Sequence, residues 1–216
     1  MLGAIRNRSK RLSKLSWRRV HSPVKERELL GEGAQGKVYL VSVRGRLFAL
    51  KKYKLGRLNN REKKRDYYAL KILSALGFPT VPFPNAIRQG LLMSDLTKNR
   101  QFRVRELMDV HKRTDYDMRA FYSYKERQEM SEEGKLEIRL RWCGISNSEE
   151  LAREYVQIIK KGRKEGIAMR WPAFFLVQTP SENWKCVIAD VNEVYIPRKA
   201  IPPGIVPDKF MKLFRY

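Results

Sequence analysis

The residues with the clearest chemical meaning form a glycine-rich stretch near the N-terminus. Residues 31–38 read Gly31-Glu32-Gly33-Ala34-Gln35-Gly36-Lys37-Val38, a G-x-G-x-x-G-x-V pattern. Glycines at such positions let backbone amides approach phosphate oxygens without a side-chain clash. A dinucleotide fingerprint with this glycine spacing needs a helix directly after the loop, whereas the apolar residues from Val38 onward continue as a strand. The pattern therefore indicates a phosphate-binding loop between two strands.

A lysine follows at a spacing that suits the same chemistry. Ala49-Leu50-Lys51 comes at the end of the next predicted strand, fifteen residues after Gly36. Lys51 can reach phosphates that the glycine loop covers. The alternative is a meander of strands whose glycines only form turns and whose lysine is solvated.

The composition limits the kinds of function that are open to the chain. Its 216 residues carry 46 Lys and Arg against 23 Asp and Glu, a formal net charge of +23. With 43% hydrophobic residues the chain can bury a core. Two cysteines, Cys143 and Cys186, and two histidines, His21 and His111, exclude a disulfide framework and a Cys/His zinc cluster, so a metal must have oxygen ligands. Because no apolar run of about 18 residues occurs, we expect no transmembrane segment.

Positive charge is concentrated in three clusters. Residues 1–24 contain seven Lys and Arg and no acid, and we describe them as a basic arm, either flexible or amphipathic. Two further clusters lie at residues 51–65 and 160–164. They predict an anionic partner: a nucleotide, a phospholipid or lipopolysaccharide surface, or nucleic acid. We expect a cytoplasmic protein or one held peripherally at a membrane, and the arm also fits a mitochondrial-type presequence.

Hydrophobic periodicity predicts the elements that must position these residues. The predicted strands and hairpins are a strand, glycine turn and strand over 26–43, strands at 47–51 and 86–93, and a hairpin of 173–177 with 185–190. The predicted helices are 58–76, a helix opened by a capping box of Ser146 and Glu149 and ending near 164, and a short one at 208–214. Residues 100–145 are harder to assign, with a helical pattern at 104–110 and a strand-like alternation at 136–140.

In this order, the glycine loop, strands, lysine and helix resemble the protein-kinase-like superfamily from about residue 28 to residue 195. The resemblance implies an α+β, two-lobed fold: an antiparallel-sheet N-lobe at 25–97 and a minimal helical C-lobe at 98–216. It also implies ATP and Mg²⁺ as cofactors. The implied site residues are Gly31, Gly33 and Gly36 over the nucleotide, Lys51 on its phosphates, Val38 and Ala49 on the base, Met93 and Ser94 at the hinge, and Asp190 on the metal.

The chain departs from this family's pattern in two places. The helical glutamate that pairs with the lysine would fall near Ala69, although Glu62 and Asp66 lie on the same helical stripe and can substitute. The family's catalytic loop carries an aspartate and an asparagine, whereas residues 166–175 here contain neither. An acid from elsewhere, Asp115, Asp117 or Glu193, would have to take the catalytic part.

The small C-lobe and the basic composition are similar to the bacterial lipopolysaccharide-core (Kdo) kinase group. The preferred hypothesis is a kinase-fold protein that binds ATP with Mg²⁺ near anionic partners, with weak or lost phosphotransfer, as in a pseudokinase. One alternative is an active phosphotransferase on a sugar, lipopolysaccharide or protein acceptor, with Lys51 and Asp190 as its catalytic residues. The other is a basic interaction module for nucleic acid or a membrane surface that binds no nucleotide.

Overall fold

The structure is a computed structural model that describes residues 24–33, 36–54, 59–82, 85–97 and 103–214. Nearly all of the predicted basic arm lies outside these residues, as do Ala34 and Gln35 of the glycine loop. Among the described residues, no helix is both long and apolar enough to cross a membrane.

The described chain forms an α+β structure, as predicted. Its strands are β1 (Lys25–Gly33), β2 (Gly36–Val43), β3 (Arg46–Tyr53), β4 (Asn85–Ile87), β5 (Gly90–Ser94), β6 (Val104–Glu106), β7 (Ala168–Met169), β8 (Phe174–Gln178), β9 (Trp184–Ile188) and β10 (Val194–Tyr195). Its α-helices are α1 (Asn59–Ala75), α2 (Leu107–Phe121), α3 (Tyr124–Glu129), α4 (Glu132–Trp142), α5 (Ser148–Lys164) and α6 (Asp208–Met211).

The first five strands form one antiparallel sheet in the order β1-β2-β3-β5-β4. A two-residue turn joins β2 to β3, and both its residues have positive φ, Arg44 at 51° and Gly45 at 75°. Such a turn matches the twist of the flanking strands. In the resulting register Lys51 lies opposite Val38 on one side and Leu91 on the other. The central strand β3 therefore carries the lysine beneath the glycine hairpin.

The single strand predicted at residues 86–93 is wrong, because two strands occupy this region. β4 and β5 pair with each other through a turn at Arg88 and Gln89. These two polar residues interrupt the apolar run and lie exposed. Gly90 then begins β5 where the backbone of β3 passes closely, and this contact leaves no room for a side chain.

The later part of the chain combines helices with two small sheets. β6, β8 and β9 form a three-stranded antiparallel sheet, and β7 pairs with β10. The helix predicted at 104–110 is only half correct, because residues 104–106 are strand and α2 begins at Leu107. The strand-like alternation at 136–140 is wrong: this stretch lies in α4, where Leu136 and Leu140, one helical turn apart, are both buried. Ser131 caps that helix by accepting a hydrogen bond from Gly134 N.

The helix predicted from Ser146 does form, but without the predicted capping box. α5 begins at Ser148, and its N-cap residue Asn147 makes no side-chain cap bond. The Asn147 amide instead donates to Trp184 O and accepts from Trp184 N, both at 2.9 Å. This pair of bonds fastens the start of α5 to β9. The short C-terminal helix is also present, but it ends at Met211 rather than at 214.

One large hydrophobic core joins the sheet to the later elements. It includes Leu73 of α1, Leu91 of β5, Leu140 of α4, Phe174 of β8 and Ile188 of β9. A smaller cluster, Val41, Val43, Leu50 and Leu92, covers the other face of the sheet.

The segment after α1 is bonded directly to β9. Ile188 N donates to Pro79 O at 2.7 Å, and Val81 N donates to Ile188 O at 3.1 Å. Both backbone groups of Ile188 are thus held by the segment that leaves α1. This attachment sets the position of Asp190, two residues farther along the chain.

Replacement of Gly90 by alanine is expected to destabilise the protein. A Cβ at Gly90 would collide with the carbonyl oxygen of Lys51, a backbone atom that cannot rotate away. We expect Gly90→Ala to lower the free energy of unfolding by about 1–3 kcal/mol, measured by urea denaturation. Gly31→Ala is the matched control, because a Cβ there would meet nothing within 4 Å. Equal stability of the two variants would contradict the close approach.

Candidate functional site

A cleft of about 640 Å³ lies between the five-stranded sheet and the later elements. Eight of the site residues expected from the sequence line this one cleft: Gly31, Gly36, Val38, Ala49, Lys51, Met93, Ser94 and Asp190. The remaining one, Gly33, pairs with Gly36 at the end of the glycine hairpin. Residues far apart in sequence thus meet in a single concave site.

The Lys51 ammonium group lies between two carboxylates. Its Nζ atom is 3.3 Å from Asp66 Oδ2 and 3.3 Å from Asp190 Oδ1. The Lys51 side chain is 12% exposed and that of Asp66 only 1%, whereas Asp190 is 39% exposed. The lysine is therefore anchored by a buried acid on one side and by an acid at the cleft on the other.

Of the two acids considered as partners for Lys51, Asp66 makes the contact. Asp66 lies on α1, three residues before Ala69. Burial raises the pKa of its carboxyl group, while the charge of Lys51 and a hydrogen bond from Tyr53 act in the opposite direction. Tyr53 Oη donates to Asp66 Oδ2 at 2.7 Å. Burial and the neighbouring Asp66 carboxylate raise the pKa of Tyr53, so its hydroxyl remains a donor.

Tyr53 was not expected as a site residue, although its spacing from Lys51 on β3 places both side chains on one face. Lys51 and Tyr53 are two residues apart on β3, and residues at this spacing project to the same face of a strand. The Lys51 Nζ atom also lies 5.3 Å from the centre of the Tyr53 ring. The tyrosine hydroxyl gives the Asp66 carboxylate a second donor beside the lysine.

Asp190 is held by the segment that follows it. Asn192 N and Asn192 Nδ2 both donate to Asp190 Oδ1, at 3.2 and 2.6 Å. Asp190 thereby caps a short 3₁₀ helix, Val191–Glu193. The Asn192 Oδ1 atom is buried and has no hydrogen-bond partner.

The oxygen atoms of Asp190 and Asn192 fit a Mg²⁺ ion that also binds phosphate. Mg²⁺ prefers oxygen ligands and is commonly held by one or two carboxylates together with substrate phosphates. Asp190 supplies a half-exposed carboxylate, and Asn192 supplies an amide oxygen that lacks a donor. Among the described residues, no group of three or more His, Cys, Asp or Glu side chains is placed to hold a metal. A divalent ion at Asp190 and Asn192 would therefore need further oxygen ligands, such as those of a phosphate group.

The apolar end of the cleft is formed by strand residues. Val38 and Ala49 come from β2 and β3, and Met93 and Ser94 end β5. Ser94 N already donates to Pro82 O at 3.0 Å. The Ser94 amide is therefore not available to a bound base. The edge of such a base would have to bond to other polar groups of this segment.

The kinase-like resemblance placed a catalytic loop at residues 166–175. In the structure, side chains of this stretch pack in an apolar environment. The Trp171 ring packs against Tyr155 at 5.1 Å and against His111 at 4.9 Å, measured between ring centres. Ala173 and Phe174 are fully buried. No carboxylate or asparagine replaces the missing pair within this stretch.

Of the three acids considered as substitutes, Glu193 lines the cleft. Arg170 N donates to Glu193 O at 3.0 Å, and the Arg170 guanidinium is 3.7 Å from the Glu193 carboxylate. Asp115 is instead engaged by Arg139 at 3.2 Å and by Arg119 at 2.7 Å. Of the three candidate acids, Glu193 is thus the one that both lines the cleft and contacts Arg170 of this stretch.

Four further acids that were not expected as site residues line the cleft: Glu32, Asp95, Glu106 and Asp109. The last two, Glu106 and Asp109, come from adjacent elements. They lie at the junction of β6 and α2, a region whose structure the sequence pattern left open. Burial and the charges of Asp109 and Asp190 raise the pKa of Glu106. No motif pointed to these residues, because only the fold brings them near Asp190.

The basic cluster at residues 51–65 is divided among several contacts. Lys51 lies in the cleft, Lys52 pairs with Glu26, and Lys63 donates to Ile87 O at 2.9 Å. The Lys64 ammonium lies over the Phe210 ring. In the third cluster Lys160 and Lys164 are exposed at the end of α5.

Comparison with known proteins supports the fold. No family model matches the sequence, and no curated protein sequence matches it. The crystal structure of a Helicobacter pylori proinflammatory kinase, CtkA, is similar to this chain, with a TM-score of 0.51 and 13% sequence identity. The match covers 80% of this chain but only 59% of that protein. The chain thus has a kinase-like α+β fold, consistent with the expected two-lobed arrangement.

The Tyr53 hydroxyl is expected to contribute to stability through Asp66. Its removal in Tyr53→Phe leaves a nearly inaccessible carboxylate with one donor fewer. We expect the free energy of unfolding at neutral pH to fall by about 1–3 kcal/mol, measured by urea denaturation. Tyr116→Phe is the control, since Tyr116 is 80% exposed. If both variants unfold at the same urea concentration, Tyr53 does not support the buried acid.

Proposed function

We propose that the chain binds ATP with Mg²⁺ in this cleft and that its phosphotransfer activity is weak or lost. The arrangement of Lys51 between Asp66 and Asp190, beneath a glycine hairpin, carries the proposal. A lysine held by a buried acid is fixed in place and presents its charge to phosphate oxygens. The similarity in fold to the Helicobacter pylori kinase CtkA supports the same type of ligand.

Each part of the cleft suits a different part of the nucleotide. The apolar surfaces of Val38 and Ala49 suit the base, and the exposed face at Gly31 leaves space for phosphates near the backbone. Lys51 provides the positive charge between them, and the exposed carboxylate of Asp190 suits a divalent cation. A Mg²⁺ ion held by Asp190 would neutralise the charge of the phosphates.

Weak or lost transfer follows from the packing of residues 166–175. A general base must lie within hydrogen-bond reach of the acceptor hydroxyl. Trp171 and Phe174 occupy this stretch, and neither can accept a proton. This stretch therefore supplies no general base, which supports weak or lost phosphate transfer.

The net charge of +23 supports a location near anionic partners. Exposed lysines at the end of α5 add positive charge outside the cleft. Long-range attraction of this kind raises the local concentration of an anionic substrate or surface. A phospholipid or lipopolysaccharide surface and nucleic acid all have this chemistry.

Thermal unfolding with and without Mg-ATP tests the proposed nucleotide site. A ligand at a hundredfold excess over its dissociation constant stabilises the folded state by roughly 2.7 kcal/mol. For a domain of this size we expect the Tm to rise by several degrees. Lys51→Ala and Asp190→Ala should lose this rise, whereas Lys160→Ala at the exposed end of α5 should keep it.

Two results would argue against a nucleotide site. A cooperative transition of the wild type that Mg-ATP does not shift would favour the basic interaction module instead. A shift that Lys51→Ala and Asp190→Ala both retain would place the ligand outside this cleft.

One observation favours an active phosphotransferase as a second candidate. Glu193 lines the cleft near Asp190 and beside Arg170, in the part of the site where the catalytic loop was expected. In such a reaction an acceptor hydroxyl oxygen bonds to the γ-phosphorus, and the bond from that phosphorus to the β-phosphate oxygen breaks. ADP leaves, and the hydroxyl proton passes to the Glu193 carboxylate. The acceptor would be a sugar, lipopolysaccharide or protein hydroxyl.

Transfer of label from γ-labelled ATP distinguishes the two candidates. An active enzyme should label itself or an added acceptor, and Glu193→Gln should reduce the rate by about 10²–10⁴-fold while the ATP-induced shift in Tm is retained. Asp190→Ala should abolish both. Equal labelling by wild type and Asp190→Ala would identify a contaminating kinase, and labelling unchanged in Glu193→Gln would exclude this role of Glu193.

A further inference from the structure

The inference concerns Asn192, and it rests on the proposed function. Three buried side-chain oxygens in the described part of the chain lack a hydrogen-bond partner: Asp66 Oδ1, Asn85 Oδ1 and Asn192 Oδ1. Asn192 is the one of these three residues that lines the cleft. A buried acceptor without a donor is unfavourable by about 1–3 kcal/mol. A hydrogen-bond donor or a cation that occupies the cleft could satisfy such an atom.

The orientation of the Asn192 amide is fixed by its neighbour. Asn192 Nδ2 donates to Asp190 Oδ1 at 2.6 Å, and the backbone Asn192 N donates to the same atom at 3.2 Å. Exchange of the amide nitrogen and oxygen would bring two acceptors together, so the oxygen must be the end without a donor. The amide oxygen and the Asp190 carboxylate therefore belong to one compact group.

Asp190 also retains an oxygen that these bonds do not use. The two donors of Asn192 and the Lys51 ammonium all contact Oδ1. This convergence leaves Oδ2 of the 39% exposed carboxylate outside these contacts. A hard cation at the cleft would find a carboxylate oxygen and an amide oxygen within one three-residue segment.

We propose that Asn192 is an oxygen ligand of the divalent cation that Asp190 binds together with ATP. Asn192 thereby takes over the role of the asparagine that residues 166–175 lack. Amide and carboxylate oxygens are both suitable ligands for Mg²⁺. Both protein ligands, Asp190 and Asn192, thus come from the segment after β9, and none comes from residues 166–175.

The dependence of ATP affinity on Mg²⁺ tests this role without any activity assay. The quantity of interest is the ratio of the Kd for ATP in EDTA to the Kd in Mg²⁺, measured by calorimetry. We expect Asn192→Leu to reduce this ratio by about 10- to 100-fold while the Kd in EDTA stays close to that of the wild type. Asn183→Leu is the matched control, because Asn183 is exposed in the turn between β8 and β9.

Asn192→Asp separates a ligand from a residue that only orients Asp190. An aspartate keeps an oxygen for the cation but lacks the Nδ2 donor to Asp190. Retention of the Mg²⁺ ratio in Asn192→Asp, with its loss in Asn192→Leu, is the expected result. Loss in both variants would assign Asn192 an orienting role and overturn the proposal, and so would an unchanged ratio in Asn192→Leu.

The role of Asn192 as a cation ligand can be wrong even if the cleft binds ATP. The same titrations distinguish these two outcomes. A wild type that binds ATP equally in Mg²⁺ and in EDTA retains a nucleotide site but has no cation ligand at Asn192. If the wild type binds ATP in neither condition, the proposed nucleotide site itself is refuted. The unfolding transitions of the ligand-free variants confirm that each is folded, and Asn192→Ala replaces Asn192→Leu if the larger side chain prevents folding.

Discussion

A charged lysine held largely away from water is the constraint on which the rest of this structure depends. Removing an ammonium group and a carboxylate from water costs several kcal/mol per ion, and attraction offsets this cost only where geometry and hydrogen bonding are good. Asp66, at 1% exposure, meets the condition by accepting from both Lys51 and Tyr53. Removal of one partner alone would leave an uncompensated charge in the interior. The positions of β3 and α1 are therefore tied together by an interaction that tolerates little displacement.

The sheet and the cleft could be foreseen because their signals are local. Glycine spacing, alternating apolar residues and the lysine of β3 identify the hairpins, and eight of the nine residues expected at the site line one cleft. The prediction of secondary structure was wrong where one sequence pattern fits two structures. Leu136 and Leu140 satisfy both strand alternation and helical spacing, and only the presence of a core beneath one face of α4 decides between them. The turn at Arg88 and Gln89 carries no glycine or proline within it, so the two short strands looked like one.

Long-range contacts account for what sequence reasoning could not reach at the site. The choice of Asp66 over Glu62 depends on which turn of α1 faces β3, and the approach of Glu106 and Asp109 to Asp190 depends on how β6 and α2 pack. Glu193 comes near Arg170 because β7 and β10 pair, although these two-residue strands have no recognisable pattern of their own. In each case the residue is ordinary in sequence and acquires its meaning from a neighbour far away along the chain.

The backbone bonds between Ile188 and the Pro79–Val81 segment have a mechanical consequence. These bonds hold the end of α1 and strand β9 together. The two acids that contact Lys51, Asp66 on α1 and Asp190 after β9, therefore belong to elements that are bonded to each other. A displacement of the Pro79–Val81 segment would therefore be passed through Ile188 to Asp190 and would change the distance between Asp190 and Lys51.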